Sequence, residues 1–194
     1  MIWAYHLTWS TYGHWFPNDP RGSWSEEVWQ PQLSGVRPLD DDRFVTQPRP
    51  VERKESQRFR EQATMTLRHH PIVLSSEEIE VVGGVFAEIA SRWDVSFLAC
   101  AILPEHVHML VRECASPYER LVNALKGRSA QRIREHRAIP VARRRADRVP
   151  IWTVGFWVRY VPDADVGEYV AAYIERNPPQ HRLGIQRWGF VRGG

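Results

Sequence analysis

The chain has 194 residues, 43% of them hydrophobic, and a formal net charge of +3, which suits one globular domain with decorations rather than two. No run of 18 apolar residues is present, so a transmembrane helix is excluded, and Met1–His6 enters a strand pattern at once with no charged, apolar leader, which predicts a cytoplasmic protein. Cys100 and Cys114 are too few for a disulfide framework and lack Cys-x-x-Cys spacing, so both read as buried or free thiols in a reducing compartment.

Residues 3–11 alternate strictly, with Trp3, Tyr5, Leu7 and Trp9 on one side and Ala4, His6, Thr8 and Ser10 on the other. That pattern predicts a half-buried strand with His6 on its polar face. From Gly13 to about Pro50 prolines and glycines break every regular pattern. The stretch reads as an irregular insertion, a lid or nucleic-acid-contacting flap that Trp15, Phe16, Trp24 and Trp29 partly pack down. Residues 51–69 are charged and helix-compatible, ending at His69-His70-Pro71. Ser75-Ser76-Glu77-Glu78 reads as a capped helix start. Ile79, Val82, Phe86, Ile89 and Ala90 then recur at helical spacing up to Trp93.

Val95–Ile102 is a mostly apolar strand, and Pro104-Glu105 turns it into Leu103-Pro104-Glu105-His106-Val107-His108-Met109-Leu110-Val111. Successive strand side chains point to opposite faces. His106 and His108 therefore share one face while Val107, Met109 and Val111 enter a core. Two imidazoles about 6–7 Å apart along a strand suit one divalent cation, and equally suit a solvated face. A helix from about Pro117 to Glu135 buries Leu121, Leu125 and Ile133. Between Lys126 and Arg148 basic residues crowd against only Glu135 and Asp147, as either a solvated face or a phosphate-contact surface. The Ala138–Val149 segment reads as a loop.

A strand over Ile151–Tyr160 follows, with Gly155 as a bulge or bend. Asp163-Ala164-Asp165 starts a helix through about Arg176, which Pro178-Pro179 is expected to stop. Tyr169, Tyr173 and Asn177 lie one turn apart on one face of it, where core tyrosines and a helix-capping asparagine are the ordinary roles. The tail from 184 to 194 is Gly- and Arg-rich and reads as loose, with Trp188 and Phe190 as the residues able to anchor it. Nine tryptophans are mostly core material, and some suit stacking on unpaired bases. The first six regular elements after the insertion is set aside spell βαββαβ, an α+β, ferredoxin-like or RRM-like antiparallel sheet with an added C-terminal helix. In that topology the first and third strands are central neighbours, which sets His106 and His108 beside the face carrying His6 and Thr8.

In order along the chain, Tyr5-His6-Leu7-Thr8, Leu103-Pro104-Glu105-His106-Val107-His108, Trp152 with Gly155-Phe156, and Tyr173-Ile174 with Asn177-Pro178 resemble the single-tyrosine HUH transposases. These serve small insertion elements that move as single strands, and include REP-associated relatives. The resemblance spans roughly residues 3–11 and 72–183 and leaves 13–50 unaccounted for. It implies that His106 and His108 ligate a divalent ion, Mg²⁺ or Mn²⁺. Asn177 would stand where the family supplies a third polar ligand, glutamine in some members and asparagine in others. Tyr173 is implied as the nucleophile, with Tyr169 a lesser rival, and His6 and Glu105 as supports beside the ligands. The implied partner is single-stranded DNA with a flanking hairpin, whose phosphates Lys126, Arg128 and Arg132 are placed to meet. Members occur as monomers and as homodimers with exchanged helices, and the reading leans slightly to the dimer.

The implied chemistry is self-consistent. A phenol is largely protonated at neutral pH and needs a polarised target. A metal with open positions supplies one, and a reversible phosphotyrosine needs no nucleotide-binding loop. Two other readings stay open: an RRM-like module that grips single strands without cutting them, and a phosphodiesterase using water.

Overall fold

The computed structural model describes residues 2–16, 52–112, 117–144 and 147–191. The expected insertion lies outside these from residue 17 to residue 50, as do Cys114 and Arg145. Two compact units separate by their contacts, Tyr12–Ile72 and the remainder.

In the smaller unit, α1 (Arg53–Met65) is the charged helix expected there, and it buries Phe59 and Ala63. Phe16 and Leu67 complete this small core, with the rings of Phe16 and Phe59 packed edge to face at 6.0 Å. Gly13 turns the chain at φ +86°, where a Cβ would come within 2.8 Å of Pro71. Glycine alone satisfies both constraints.

The larger unit runs β1 (Ala4–Ser10), α2 (Ser76–Ala90), β2 (Phe97–Ile102), β3 (His106–Arg112), α3 (Tyr118–His136), β4 (Trp157–Val161) and α4 (Ala164–Gln180). Its four-stranded sheet has the order β2-β3-β1-β4, every pair antiparallel. This is the α+β βαββαβ arrangement, and β1 and β3 are the central strands as that topology requires. One face carries Tyr5, Leu7 and Trp9 against α2 and α3. Trp9 meets Phe86 of α2 at 6.0 Å, and Tyr5 meets Tyr118 of α3 at 4.8 Å. The other face receives α4, whose Val170 and Ile174 bury Ala4, Ala99, Ala101, Leu110 and Val161. Small alanines on that face let the fourth helix approach. Cys100 is buried, and burial pushes its thiol up, out of reach of ordinary chemistry at neutral pH.

The last strand is shorter than its apolar run. Trp152 makes only an isolated bridge to Thr11, and β4 starts at Trp157. Between them Gly155 takes φ +74°, which a strand does not accommodate. The terminal helix is longer than expected, since Pro178 and Pro179 lie inside it. Each proline removes one N–H from the ladder, and the turn is closed instead by amides beyond the pair. Arg182 takes φ +60°, and Leu183 N–H bonds Pro178 C=O at 2.9 Å while Arg182 N–H bonds Pro179 C=O at 3.0 Å. This is a Schellman ending, three residues beyond the start of the proline pair.

The tail lies along the outer edge of β2. Gln186 acts as a strand partner by side chain, accepting from Ile102 N–H at 2.9 Å and donating to Ile102 C=O at 2.7 Å. Val191 bridges Phe97, and Phe190 packs edge-on to Phe97 and Phe86 at 5.5 and 6.3 Å. Both edge protection and anchoring by Phe190 follow, with Trp188 laid over Gly83 of α2.

Ser75 and Glu78 form a reciprocal capping box at the start of α2. Arg137 then reaches Glu78 with two hydrogen bonds, 2.5 and 2.8 Å. Burial alone would raise the Glu78 carboxyl, but the Arg137 guanidinium and the Ser75 N–H outweigh it and hold the group below the usual carboxylate range.

Two stability predictions follow from these contacts. Glu78→Gln lowers unfolding free energy at pH 7 by about 2–3 kcal/mol, the scale of a charge-assisted buried pair, measured by denaturant titration. A depressed carboxylate contributes stability above its unfolded pKa and loses it as pH falls through the lower folded value, so the wild-type advantage shrinks on acidification. Gly83→Ala would gain up to about 1 kcal/mol from helix propensity, yet its Cβ would lie 2.2 Å from Cζ3 of Trp188. The clash decides the sign, and a lower melting temperature with a disturbed Trp188 environment is expected by fluorescence.

Candidate active site

Register fixes what the α4 face of the sheet displays. Thr8 stands opposite His108, and Ser10 opposite His106. On the other flank Trp157 pairs with Thr8 and Arg159 with His6. Directly paired residues share a face, so His6, Thr8, His106, His108, Trp157 and Arg159 all project together. Sequence alternation places the histidines; only the register adds Trp157 and Arg159.

The histidines form a connected cluster. His6 Nε2 lies 3.2 Å from His108 Nδ1, and Thr8 Oγ1 lies 3.0 Å from the same nitrogen. The rings of His106 and His108 meet edge to face with centroids 4.8 Å apart. Burial pushes His108 down to about 2, helped by the neighbouring His106, His6 and His181, and pushes His6 down to about 4, helped by Arg159. Both rings are therefore neutral at physiological pH. In the tautomer with the proton on Nδ1, His108 donates to Thr8 or His6 and presents an unprotonated Nε2.

α4 brings the tyrosine to this cluster. The Tyr173 ring sits 5.6 Å from His108 and 6.2 Å from His6, centroid to centroid. It is 42% exposed, so part of the ring stays open to solvent while it packs roughly perpendicular to both imidazoles. Tyr169, one turn earlier, is 70% exposed and makes no ring contact with the histidines among the described residues. Tyrosine and histidines meet within one chain, so the pairing does not need a helix from a second copy. Asn177 is buried and donates from Nδ2 to the Tyr173 carbonyl at 2.8 Å, which leaves its Oδ1 as the acceptor end. His181, just past α4, closes the other side of His106 at 5.6 Å between ring centroids. Nothing in the sequence pattern singles out His181, because it follows a proline pair expected to end the helix.

Among the described residues no group of three or more His, Cys, Asp and Glu side chains is arranged to hold a metal ion. The donors that the sequence singles out are the imidazoles of His106 and His108, which share a strand face, and the amide oxygen of Asn177, one helical turn beyond Tyr173. Their chemistry fits an ion that takes mixed nitrogen and oxygen ligands and keeps open positions. Hydrogen bonds to the far nitrogen of a ligating histidine, as Thr8 and His6 provide for His108, are the usual support of such a site.

The remaining sequence candidates lie elsewhere. Glu105 sits on the exposed turn before β3, where its carbonyl accepts from Thr11 N–H at 2.8 Å and Thr11 Oγ1 at 3.0 Å. Lys126 belongs to α3, on the opposite side of the sheet from the histidines. Its ammonium donates to the Thr153 carbonyl at 2.8 Å and to the Gly155 carbonyl, and burial pushes it down to about 8. Arg128 and Arg132 line a surface cleft between α2 and α3 with Glu88 and Glu135, and Arg132 pairs with Glu88 at 3.4 Å. No helix among the described residues is long and apolar enough to cross a membrane.

A family model described as IS200-like transposase matches residues 62–177. The match takes in His106, His108, Tyr173 and Asn177, and leaves out β1 and His181. Among solved structures, a transposase candidate from Deinococcus radiodurans R1 is 18% identical with a TM-score of 0.44, covering 88% of this chain and 89% of that one. A REP-associated tyrosine transposase bound to a REP hairpin is 12% identical with a TM-score of 0.47, covering 98% of this chain and 72% of that one. No curated protein matches.

Because the unfolded chain binds a proton at His6 more readily than the folded one, wild-type stability falls as pH drops from 6.5 towards about 4. His6→Gln is expected to flatten that part of the profile, as read from melting temperatures across pH. An unchanged slope would mean that the His6 ring is not desolvated as described.

Proposed function

Since the chain belongs to the IS200-like transposase family, we propose that it cuts and rejoins single-stranded DNA through a covalent bond to Tyr173. One observation carries this reading: the Tyr173 ring, open to solvent on one side, rests against His108 and His6 beside His106.

The Tyr173 hydroxyl oxygen attacks the scissile phosphorus while the bond from phosphorus to the 3′ oxygen breaks. The phenol loses its proton and the leaving oxygen gains one, so the products are a 5′-phosphotyrosine and a free 3′-hydroxyl. Attack by another 3′-hydroxyl reverses the step and joins new ends, with no external energy source. His106, His108 and Asn177 would hold a divalent ion, Mg²⁺ or Mn²⁺. When bound there, it supplies Lewis-acid polarisation of the phosphate. Asn177 keeps the last turn of α4 in place by bonding the Tyr173 carbonyl, so the nucleophile's backbone is fixed while its ring can turn. Thr8 and His6 hold the His108 ring orientation.

The substrate is a single strand flanked by a hairpin, because an exposed phenol against a sheet face needs an unpaired backbone to reach. Arg128 and Arg132 are the candidate contacts for hairpin phosphates. Lys126 acts from inside, by fixing the Thr153–Gly155 turn that leads into β4.

With hairpin-bearing single-stranded DNA labelled at either end and Mn²⁺ present, the wild-type chain should form an adduct that survives denaturation and carries the DNA by its 5′ phosphate. Tyr173→Phe should abolish the adduct, and Tyr169→Phe should keep it. DNA binding with no adduct in the wild type would point instead to a gripping module, and cleavage that persists in Tyr173→Phe would point to water as the nucleophile.

A further inference from the structure

On the site face, α4 packs chiefly against β2 and β3 and covers Ala4 and Val161 at one end of β1 and β4, while Arg159, further along β4, is left uncovered. β4 is an edge strand. On this face it carries Trp157, whose ring stands edge-on to His6 at 5.7 Å, Arg159, which pairs in register with His6, and the buried Val161. Arg159 is exposed, and no ion pair among the described residues involves it. Two other arginines of α4 and β3 are engaged elsewhere. Arg176 donates to the Ala172 carbonyl of its own helix at 3.1 Å, and Arg112 lies over the Trp3 ring at 4.9 Å.

We propose that Arg159 grips a backbone phosphate of the bound single strand, next to the phosphate that Tyr173 attacks, so that the strand crosses β4 and β1 towards the histidines. A guanidinium fork matches a phosphate with two parallel hydrogen bonds. Its place opposite His6 in the β1–β4 register sets it beside the cluster. Trp157 forms the wall between Arg159 and Ser10's end of β1. A charge on an edge strand also guards against sheet-to-sheet pairing, but that duty is met by either sign. A phosphate grip needs a cation, and the two roles separate on this point.

The proposal rests on the single-strand reading above, and the test distinguishes them. In the Tyr173→Phe background, where binding is not complicated by a covalent bond, the affinity for a fluorescent single-stranded DNA of mixed sequence is measured as a function of salt. Arg159→Gln should weaken binding about five- to tenfold at ~0.1 M salt and make the log–log salt slope shallower by about 0.7, the share of one single-strand phosphate contact. Arg159→Lys should restore the slope with part of the affinity, and Arg159→Glu should bind more weakly still while melting like the parent. Unchanged affinity and slope in Arg159→Gln and Arg159→Glu overturn the assignment. If adducts form at Tyr173 yet the slope does not move, Arg159 alone is misassigned. If the slope moves but the wild type forms no adduct, the phosphate contact stands and the strand-transfer chemistry falls.

Discussion

The pairing of β1 between β3 and β4 is the constraint on which the site depends. A one-residue slip of a strand sends every side chain to the opposite face. Slipping β1 would carry His6 and Thr8 into the space between the sheet and α2, and bring Tyr5, Leu7 and Trp9 out beside His108. The register is secured by the aromatic side rather than the polar one. Trp9 against Phe86 and Tyr5 against Tyr118 bury large areas that no alternative register can match. The polar cluster therefore needs little stability of its own to be placed accurately.

That division of labour explains how three imidazoles can occupy a sheet face under a helix. A buried polar group with no partner costs roughly 1–3 kcal/mol. Here His6, Thr8 and His108 satisfy one another, and staying neutral avoids the much larger cost of a buried charge. Where this chain does bury charge, it pairs it differently. Glu78 is met by Arg137 in two hydrogen bonds, and the Lys126 ammonium by two backbone carbonyls. The first joins the start of α2 to the end of α3, and the second ties α3 to the turn before β4.

Much of this was legible in the residues. Strict alternation in Trp3–Thr11 and in His106–Val111 is enough to assign faces, and apolar spacing after Ser75-Ser76-Glu77-Glu78 is enough to assign α2. The Tyr173–Asn177 spacing places both on one helical face. What could not be read depends on partners distant in sequence. Lys126 looks like a surface cation until Thr153 and Gly155 fold over it. Arg159 is one arginine among many until β4 pairs with β1 and sets it opposite His6. The reach of α4 past Pro178-Pro179 was hidden for a local reason: the amides that close its last turn are those of Arg182 and Leu183, beyond the proline pair. His181 is at the cluster only because the helix continues that far.

The ending of α4 joins these threads. Without the N–H groups of Pro178 and Pro179, the carbonyls of Ile174 and Glu175 lose their usual helical donors. A turn weakened in this way would be a poor platform for a reactive side chain at Tyr173. Asn177 counters it by giving its Nδ2 to the Tyr173 carbonyl, and the Leu183 and Arg182 amides close the turn from the other side. The same asparagine keeps its amide oxygen as an acceptor while its Nδ2 serves the helix carbonyl. An aspartate there would lack the donor, and a longer glutamine would have to reach the same carbonyl from a different rotamer. A short amide at this position thus gives the backbone under the phenol a donor that the proline pair cannot supply.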